Sequence, residues 1–184
     1  MSLNKGFSLV EILTVIVIMA VASGFAVNSF SKMVANNRLQ KAAFELQQEL
    51  STIRPMALKN DCKVMVRFSE AACSVYVDKN GDGKIQIDEF RESWEAPEGI
   101  VFKLPSDNPP TSAPSGAVLP SGGKYAAGQW SDYLQFANDA LGRVNTGSVY
   151  LSSKKLKKTT YCITSVNSQT LKIYSWDGSK WNAL

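Results

Sequence analysis

The feature that most constrains this chain is a long apolar run near its amino terminus. The apolar run of residues 7–27 is interrupted only by Ser8, Glu11, Thr14, Ser23 and Gly24. As a helix, this run is roughly 30 Å long, which matches the hydrocarbon core of a bilayer. The carboxylate of Glu11 costs about 2.5–3.5 kcal/mol near the centre of a membrane-inserted helix. The run therefore predicts a membrane-spanning helix whose one charge needs a partner.

Three interpretations fit such a segment. It is a secretory signal with a small-residue cleavage site at residues 20–22, a passive anchor, or an anchor that leaves the membrane to pack against copies of itself. Only the third gains from Glu11, because the carboxylate then meets a cation of a neighbouring subunit. A free α-amino group supplies that cation if the mature chain begins at Phe7, directly after Gly6 of a polar leader. We therefore favour the third interpretation.

The stretch KGFSLVE resembles the class III signal of type IV pilins and type II secretion pseudopilins. In both, a basic leader ends in glycine, phenylalanine follows, and glutamate lies four residues later. The resemblance implies that residues 1–6 are a leader peptide, that prepilin peptidase cleaves between Gly6 and Phe7, and that Phe7 becomes N-methylated. It also implies that Glu11 sets the register of a new subunit against a neighbour's amino terminus. Many relatives have a proline near the position of Asn28. This chain has no proline there, so it lacks a proline-driven kink at this point.

The same resemblance implies a structural role and a location. The chain is expected to be a minor pilin or pseudopilin, which is a filament subunit and not an enzyme. It would cross the inner membrane once, with its globular domain in the periplasm, and then enter a pilus or a type II secretion filament. Its expected partners are other pilin or pseudopilin subunits and prepilin peptidase. The composition agrees with a role other than catalysis, because the chain has no histidine and no GxSxG nucleophile motif.

A second apolar pattern continues the helix beyond the membrane segment. Its residues are spaced four or three apart along one face: Leu39, Ala43, Leu46, Leu50, Ile53 and Ala57. This spacing predicts one helix over residues 7–59, with residues 7–27 in the membrane and residues 28–59 lying on a soluble core. Its length is about 80 Å. Pro55 lacks a backbone donor, which predicts a kink or an early end in the last turns.

Residues 60–184 change to short apolar runs separated by turn residues, which predict a β-rich globular domain. The predicted strands are Lys63–Phe68, Ser74–Val77, Phe90–Trp94, Ile100–Lys103, Tyr133–Phe136, Ser148–Leu151, Tyr161–Thr164 and Thr170–Trp176. Residues 104–128 hold five of the seven prolines and predict a long surface loop. The expected fold class is α+β, with the long helix packed on an antiparallel β-sheet or sandwich. The pilin resemblance implies the same arrangement.

The carboxy-terminal half, from LQFANDALGRVNTGSVYLSS through TLKIYSWDGSKW, is similar to that of the GspH/FimT family of minor pilins and pseudopilins. The similar elements are a strand that ends at Phe136, a turn at Gly142 and Arg143, a further strand pair and a final hairpin. Some FimT-like relatives bind DNA during natural transformation through a basic carboxy-terminal tail. The resemblance therefore implies an alternative function, a DNA-binding minor pilin, although the tail here, WDGSKWNAL, has one lysine.

Four lysines in five residues form a basic cluster between two predicted strands: Lys154, Lys155, Lys157 and Lys158. Clustered lysines bind phosphate without sequence preference, so the basic cluster is the candidate DNA contact. Such a run is more often a solvated loop that protects a strand edge, and no aromatic residue for base stacking lies within it. Tyr150 and Tyr161 flank the cluster and leave the DNA alternative open.

The stretch DKNGDGKIQIDE, residues 78–89, matches the pattern of an EF-hand calcium loop. The candidate Ca²⁺ ligands are the backbone carbonyl of Lys84 and the side chains of Asp78, Asn80, Asp82, Gln86 and Glu89. The flanking sequences predict strands and not helices, so the stretch is equally consistent with a polar turn. If Ca²⁺ binds, we expect it to stiffen the loop, because there are no flanking helices for it to move.

The chain has three cysteines, Cys62, Cys73 and Cys162. None forms a CxxC pair, so a cysteine-based zinc site is not expected. Disulfides persist in the compartment outside the inner membrane. Cys62 and Cys73 flank a predicted hairpin and are the preferred disulfide pair, which leaves Cys162 free. The alternative is three buried thiols.

Overall fold

The computed structural model describes residues 8–105, 109–115, 117, 126–127, 133–136, 147–167 and 170–184. Within these residues lie the long helix α1, Leu9–Asn60, and a short 3-10 helix, Ile87–Glu89. The strands, in chain order, are β1 Lys63–Phe68, β2 Ala72–Asp78, β3 Phe90–Glu95, β4 Ile100–Val101, β5 Ala126–Ala127, β6 Tyr133–Phe136, β7 Gly147–Ser153, β8 Thr160–Asn167, β9 Thr170–Trp176 and β10 Trp181–Ala183.

Helix α1 runs without a break from the apolar run into the amphipathic stripe, which confirms the prediction of one continuous helix. It begins after Ser8, whose backbone is extended, and it ends at Asn60. The next residue, Asp61, has a left-handed conformation with φ 51°, and its N–H donates to the carbonyl of Ala57. This cap satisfies one of the carbonyls that the end of a helix leaves without a partner.

Of the kink or early end predicted at Pro55, the early end is wrong, because α1 continues through the proline to Asn60. Pro55 lies on the exposed face of the helix, where water can bond the carbonyl that its missing N–H leaves free. Ile53 and Ala57 lie on the buried face of the same turns. Their contact with the core holds the helix together across the proline.

Two antiparallel sheets accompany the helix, and together they confirm the predicted fold class. The first sheet has the strand order β3-β2-β1-β6, and the second has the order β10-β9-β8-β7-β4. Strand β5 pairs with the end of β7 that β4 leaves open. The predicted strand at Ile100–Lys103 ends earlier, at Val101, and the final hairpin of β9 and β10 closes around the turn at Asp177 and Gly178. The turn at Gly142 and Arg143 lies outside the described residues.

The core lies between the second half of α1 and the facing sides of both sheets. The helix contributes Leu39, Ala42, Ala43, Leu46, Leu50, Ile53 and Ala57. The strands and loops contribute Val64, Val66, Phe68, Cys73, Val75, Val77, Ile100, Phe102, Val149, Leu151, Tyr161, Ile163 and Ile173. One polar contact fixes the helix to the second sheet, where the Gln47 side-chain amide donates to the carbonyl of Leu171 at 2.9 Å. The predicted apolar stripe is therefore the helical wall of the core.

The described part of residues 104–128 is not the plain surface loop that its composition predicts. Pro110 and Pro114 are buried, and strand β5 lies inside the segment. The indole N–H of Trp181 donates to the carbonyl of Ser112 at 2.6 Å. Two half-buried residues of the segment pack against the outer side of the second sheet: Leu104 and Ala117. That side of the second sheet carries large side chains, and this segment shields part of them from water.

Candidate functional site

The first half of α1 presents apolar side chains to the surface on every face. The exposed large apolar residues are Leu9, Val10, Ile12, Leu13, Val15, Ile16, Val17, Ile18, Met19, Val21, Val27, Phe30 and Met33. The most apolar part of this half is 0% buried by the rest of the protein. By length and composition, α1 is the one helix among the described residues that is able to cross a membrane. An apolar surface of this size needs lipid or a protein partner.

Glu11 lies exposed in the first turn of α1. Its backbone N–H donates to the carbonyl of Ser8 at 3.0 Å, and its carbonyl accepts the hydroxyl of Thr14 at 2.8 Å. The carboxylate forms no salt bridge with any residue that the structure describes. The processing residues Gly6 and Phe7 lie outside the described residues. The Glu11 carboxylate is therefore an unpaired charge at the start of the apolar first half of α1.

The basic cluster forms the connection between β7 and β8, and its four lysines are exposed. They do not line a single surface. Lys155 borders a cavity of about 380 Å³ together with Arg38 and Glu98, where α1 leaves the domain. Lys154 and Lys157 border a different cavity of about 240 Å³. The cluster is thus divided between two sides of the connection.

Two findings change the DNA interpretation. Lys103 borders the same cavity as Lys154 and Lys157, because β4 pairs with β7. Sequence reasoning missed Lys103, and no local pattern signals it, since the pairing joins positions some fifty residues apart. Tyr150 and Tyr161, however, are buried on opposite sides of the second sheet. Neither tyrosine is therefore available to stack on a base.

The predicted disulfide between Cys62 and Cys73 is wrong, because both thiols are free in this structure. In the β1–β2 hairpin, Cys73 lies opposite Phe68, while Cys62 precedes Lys63 at the other end. With about 3.3 Å per strand residue, their Cα atoms lie on the order of 20 Å apart. A disulfide requires a separation below about 7 Å.

The three thiols differ in their surroundings. Burial raises the pKa of Cys73 to about 12, and the charge of Glu49 adds to the effect. Burial also raises the pKa of Cys162 to about 12. Cys62 is half-buried, and its pKa is raised by burial and then by the charge of Asp61. Cys73 and Cys162 therefore behave as inert, protonated core residues near neutral pH.

Two buried carboxylates hold the base of the loop formed by residues 78–89, which joins β2 to β3. Asp78 is 1% exposed, and its Oδ2 accepts the N–H of Gly83 at 3.0 Å. Glu89 is 3% exposed, and its Oε1 accepts the N–H of Lys79 at 3.1 Å. The second oxygen of each carboxylate, Asp78 Oδ1 and Glu89 Oε2, is buried without a hydrogen-bond partner. Gly83 has φ 70°, a left-handed conformation that favours glycine.

The other candidate ligands lie on the outer part of the same loop. Asp82 accepts the N–H of Lys84 at 2.8 Å through Oδ1 and the side-chain amide of Gln86 at 2.7 Å through Oδ2. Asn80 accepts the N–H of Asp82 at 2.9 Å. No group of three His, Cys, Asp or Glu side chains placed to hold a metal occurs among the described residues. Asp78 and Glu89 are thus both buried at the base of the loop, while Asp82 is bonded to Lys84 and Gln86 on its outer part.

Residues 1–27 match the family described as a prokaryotic N-terminal methylation motif, which confirms the resemblance seen in the signal segment. The structure is similar to that of the minor pseudopilin EpsH from the type 2 secretion system of Vibrio cholerae, with 17% sequence identity and a TM-score of 0.46. The similarity covers 74% of this chain and 94% of that chain. No curated protein has a significant match to this sequence. A structural similarity of this size does not assign a function, so the function is argued from the chain's own residues.

Proposed function

We propose that this protein is a minor pilin or pseudopilin, a structural subunit of a type IV pilus or a type II secretion filament. In this proposal prepilin peptidase processes the chain, and the amino-terminal helix drives its assembly. The observation that carries the proposal is the exposed apolar half of α1, which continues without a break into the half that builds the core.

The continuity of α1 explains how one helix serves two environments. The described side chains from Leu9 to Met33 are exposed, whereas one face of the half from Leu39 to Ala57 is buried in the core between both sheets. The domain therefore folds on one end of a rod whose other end keeps its apolar surface. Such a rod passes from lipid to the apolar surface of other subunits without any refolding of the domain.

Glu11 makes the transfer of the helix from the membrane to the filament favourable. In lipid its charge is costly, and the structure offers it no cation among the described residues. After cleavage between Gly6 and Phe7, the new α-amino group of a neighbouring copy is a suitable counter-ion. The charge pair then favours the filament over the membrane. The match of residues 1–27 to the methylation motif supports this cleavage and the N-methylation of Phe7.

The proposal also includes a location. Before assembly, the chain crosses the inner membrane once through the first half of α1, with the domain in the periplasm. Afterwards it lies in a pilus or pseudopilus beside other pilin-like subunits. The described helix is long and apolar enough for the crossing.

Mass spectrometry of the mature protein tests the processing step. The full chain is expressed with and without prepilin peptidase, and we expect the peptidase to leave a chain that starts at N-methylated Phe7. If the mature chain starts at Ser23 both with and without the peptidase, the chain is secreted through an ordinary signal peptide, which would contradict the proposal.

Filament incorporation of Glu11→Gln tests the assembly step. We expect this variant to be processed normally but to be lost from purified filaments, because it keeps the shape of the helix and removes its charge. The matched control is Glu45→Gln, a carboxylate on the second half of the same helix, which should assemble like the parent. Equal incorporation of both variants would show that the charge at position 11 has no part in assembly.

The alternative function, a DNA-binding minor pilin, depends on the exposed basic cluster and on Lys103 beside it. It is the weaker candidate because the flanking tyrosines are buried. Retardation of DNA by the full chain at low salt, abolished when the four lysines of the cluster become alanine, would favour it. Unchanged DNA mobility at low salt would leave assembly as the proposed function.

A further inference from the structure

We infer that the loop of residues 78–89 is a Ca²⁺ site, with Asp78 and Glu89 as the two carboxylates that close it at the base. This inference is independent of the proposed assembly role, because no residue of the loop takes part in that role. It starts from the sequence pattern of the loop, and the burial of its two end carboxylates supports it independently.

The buried carboxylates point to a cation as their ligand. Asp78 and Glu89 are almost completely removed from water, and each uses only one oxygen for a backbone N–H. Asp78 Oδ1 and Glu89 Oε2 have no partner. No salt bridge joins either carboxylate to Lys79, Arg91 or any other described cation. Two buried carboxylates without a salt bridge are costly, and a divalent cation bound by both offsets that cost.

The backbone of the loop has the shape that such an ion requires. Gly83 occupies the sixth position of the pattern with φ 70°, and its N–H bond to Asp78 folds the chain back over the first ligand. The 3-10 helix then returns Glu89 to the base, eleven positions after Asp78. The last ligand of a twelve-residue calcium loop is therefore already bonded to the backbone directly after the first ligand.

The remaining ligands need only local rearrangement. Asp82 exchanges its bond with the Gln86 amide for the ion, and Asn80 and the carbonyl of Lys84 add two further oxygens. All of these ligands are hard oxygen donors, and six to eight of them suit Ca²⁺ better than Mg²⁺, which retains most of its water. No nitrogen or sulfur donor is required, so a transition metal is not the expected ion.

The position of the loop indicates what the ion does. Lys79 and Glu89 border a groove of about 380 Å³ against the last turns of α1, where Met56 and Asn60 form the opposite wall. The loop is flanked by β2 and β3, so there is no helix pair for Ca²⁺ to open. The expected effect is to hold the β2–β3 connection against the carboxy-terminal end of the long helix.

Calorimetric titration of the detergent-solubilised full chain with CaCl₂ tests the inference. We expect one Ca²⁺ per chain, and we expect Glu89→Gln to weaken binding by roughly a hundredfold. The matched control is Asp88→Asn, an exposed neighbour outside the ligand set, which should bind like the parent. A parent chain that releases no heat with CaCl₂, or that responds equally to MgCl₂, would overturn the inference.

Thermal unfolding in a chelator and in Ca²⁺ guards against a variant that merely folds poorly. In the chelator, Glu89→Gln should have a Tm at or above that of the parent, because it removes an unpaired buried charge. In saturating Ca²⁺ the order should reverse, because only the parent gains from the ion. If Glu89→Gln lowers the Tm equally in both solutions, Glu89 serves only its hydrogen bond to Lys79 and the site does not exist. The filament experiment with Glu11→Gln is unaffected by either result.

Discussion

The two halves of α1 share one backbone but have opposite relations to the rest of the molecule. Leu13 in the first half is 57% exposed, whereas Leu46 in the second half is 0% exposed. The first half is apolar on every face, and the second is apolar on one face and polar on the other. The length and apolar content of a helix therefore do not show which part of it stabilises the domain. The second half stabilises the domain, and the first half serves a surface outside it.

The largest expected effect contrasts the same substitution in the two halves. Leu46→Ala should lower the free energy of unfolding by about 2–5 kcal/mol, because it leaves a cavity in the core. Leu13→Ala should change it by less than about 0.5 kcal/mol, because its side chain contacts no part of the domain. Urea unfolding of the detergent-solubilised chain, followed by tryptophan fluorescence, measures both. Similar losses in the two variants would show that the first half also packs on the domain.

Alkaline pH should lower the free energy of unfolding by a smaller amount, and this loss reports on the packing of the second half of α1 against the domain. Cys73 lines a cavity with Leu50 and Ile53 of α1, and its pKa is raised from 9.0 to about 12. The folded state therefore keeps the proton to higher pH than the unfolded state. The resulting stability is complete below about pH 9 and is lost as the pH rises towards 12, with about 1 kcal/mol lost by pH 10.

The variant Cys73→Ala isolates this contribution. Its free energy of unfolding should fall less steeply between pH 8 and pH 10 than that of the parent. Val75→Ala is the matched control, because Val75 lines the same cavity and does not titrate. If Cys73→Ala and Val75→Ala show the same pH slope, the thiol is not held protonated beneath the helix.

The smallest expected effect concerns the polar face of the second half. Lys41 and Glu45 form a salt bridge of 3.5 Å, with side chains 78% and 40% exposed. Exposed pairs of this kind contribute little, so Lys41→Ala should lower the free energy of unfolding by no more than about 0.5 kcal/mol. Thermal unfolding at low and high salt measures the change. A loss as large as that of Leu46→Ala would mean that stability is not concentrated in the apolar stripe.

Features that depend on neighbours along the chain could be predicted from the sequence. The helix follows from its apolar spacing, and most strands follow from short apolar runs between turn residues. The methylation motif at residues 1–27 is likewise a local pattern. Of the kink or early end predicted at Pro55, the early end does not occur, because the proline lies on the exposed face and the buried face holds these turns on the core.

By itself, the sequence determined the long helix, the single charge of its apolar segment at Glu11, and the ligand spacing of the loop at residues 78–89. Only the tertiary structure decided that Cys62 and Cys73 lie at opposite ends of a hairpin and that Lys103 joins the basic cluster. It also decided that the carboxylates at the ends of the loop are buried with an oxygen each unpaired. The reason is physical. Spacing along a helix or loop is a property of neighbouring residues, whereas strand register and burial arise from pairing between distant segments, which no local pattern encodes.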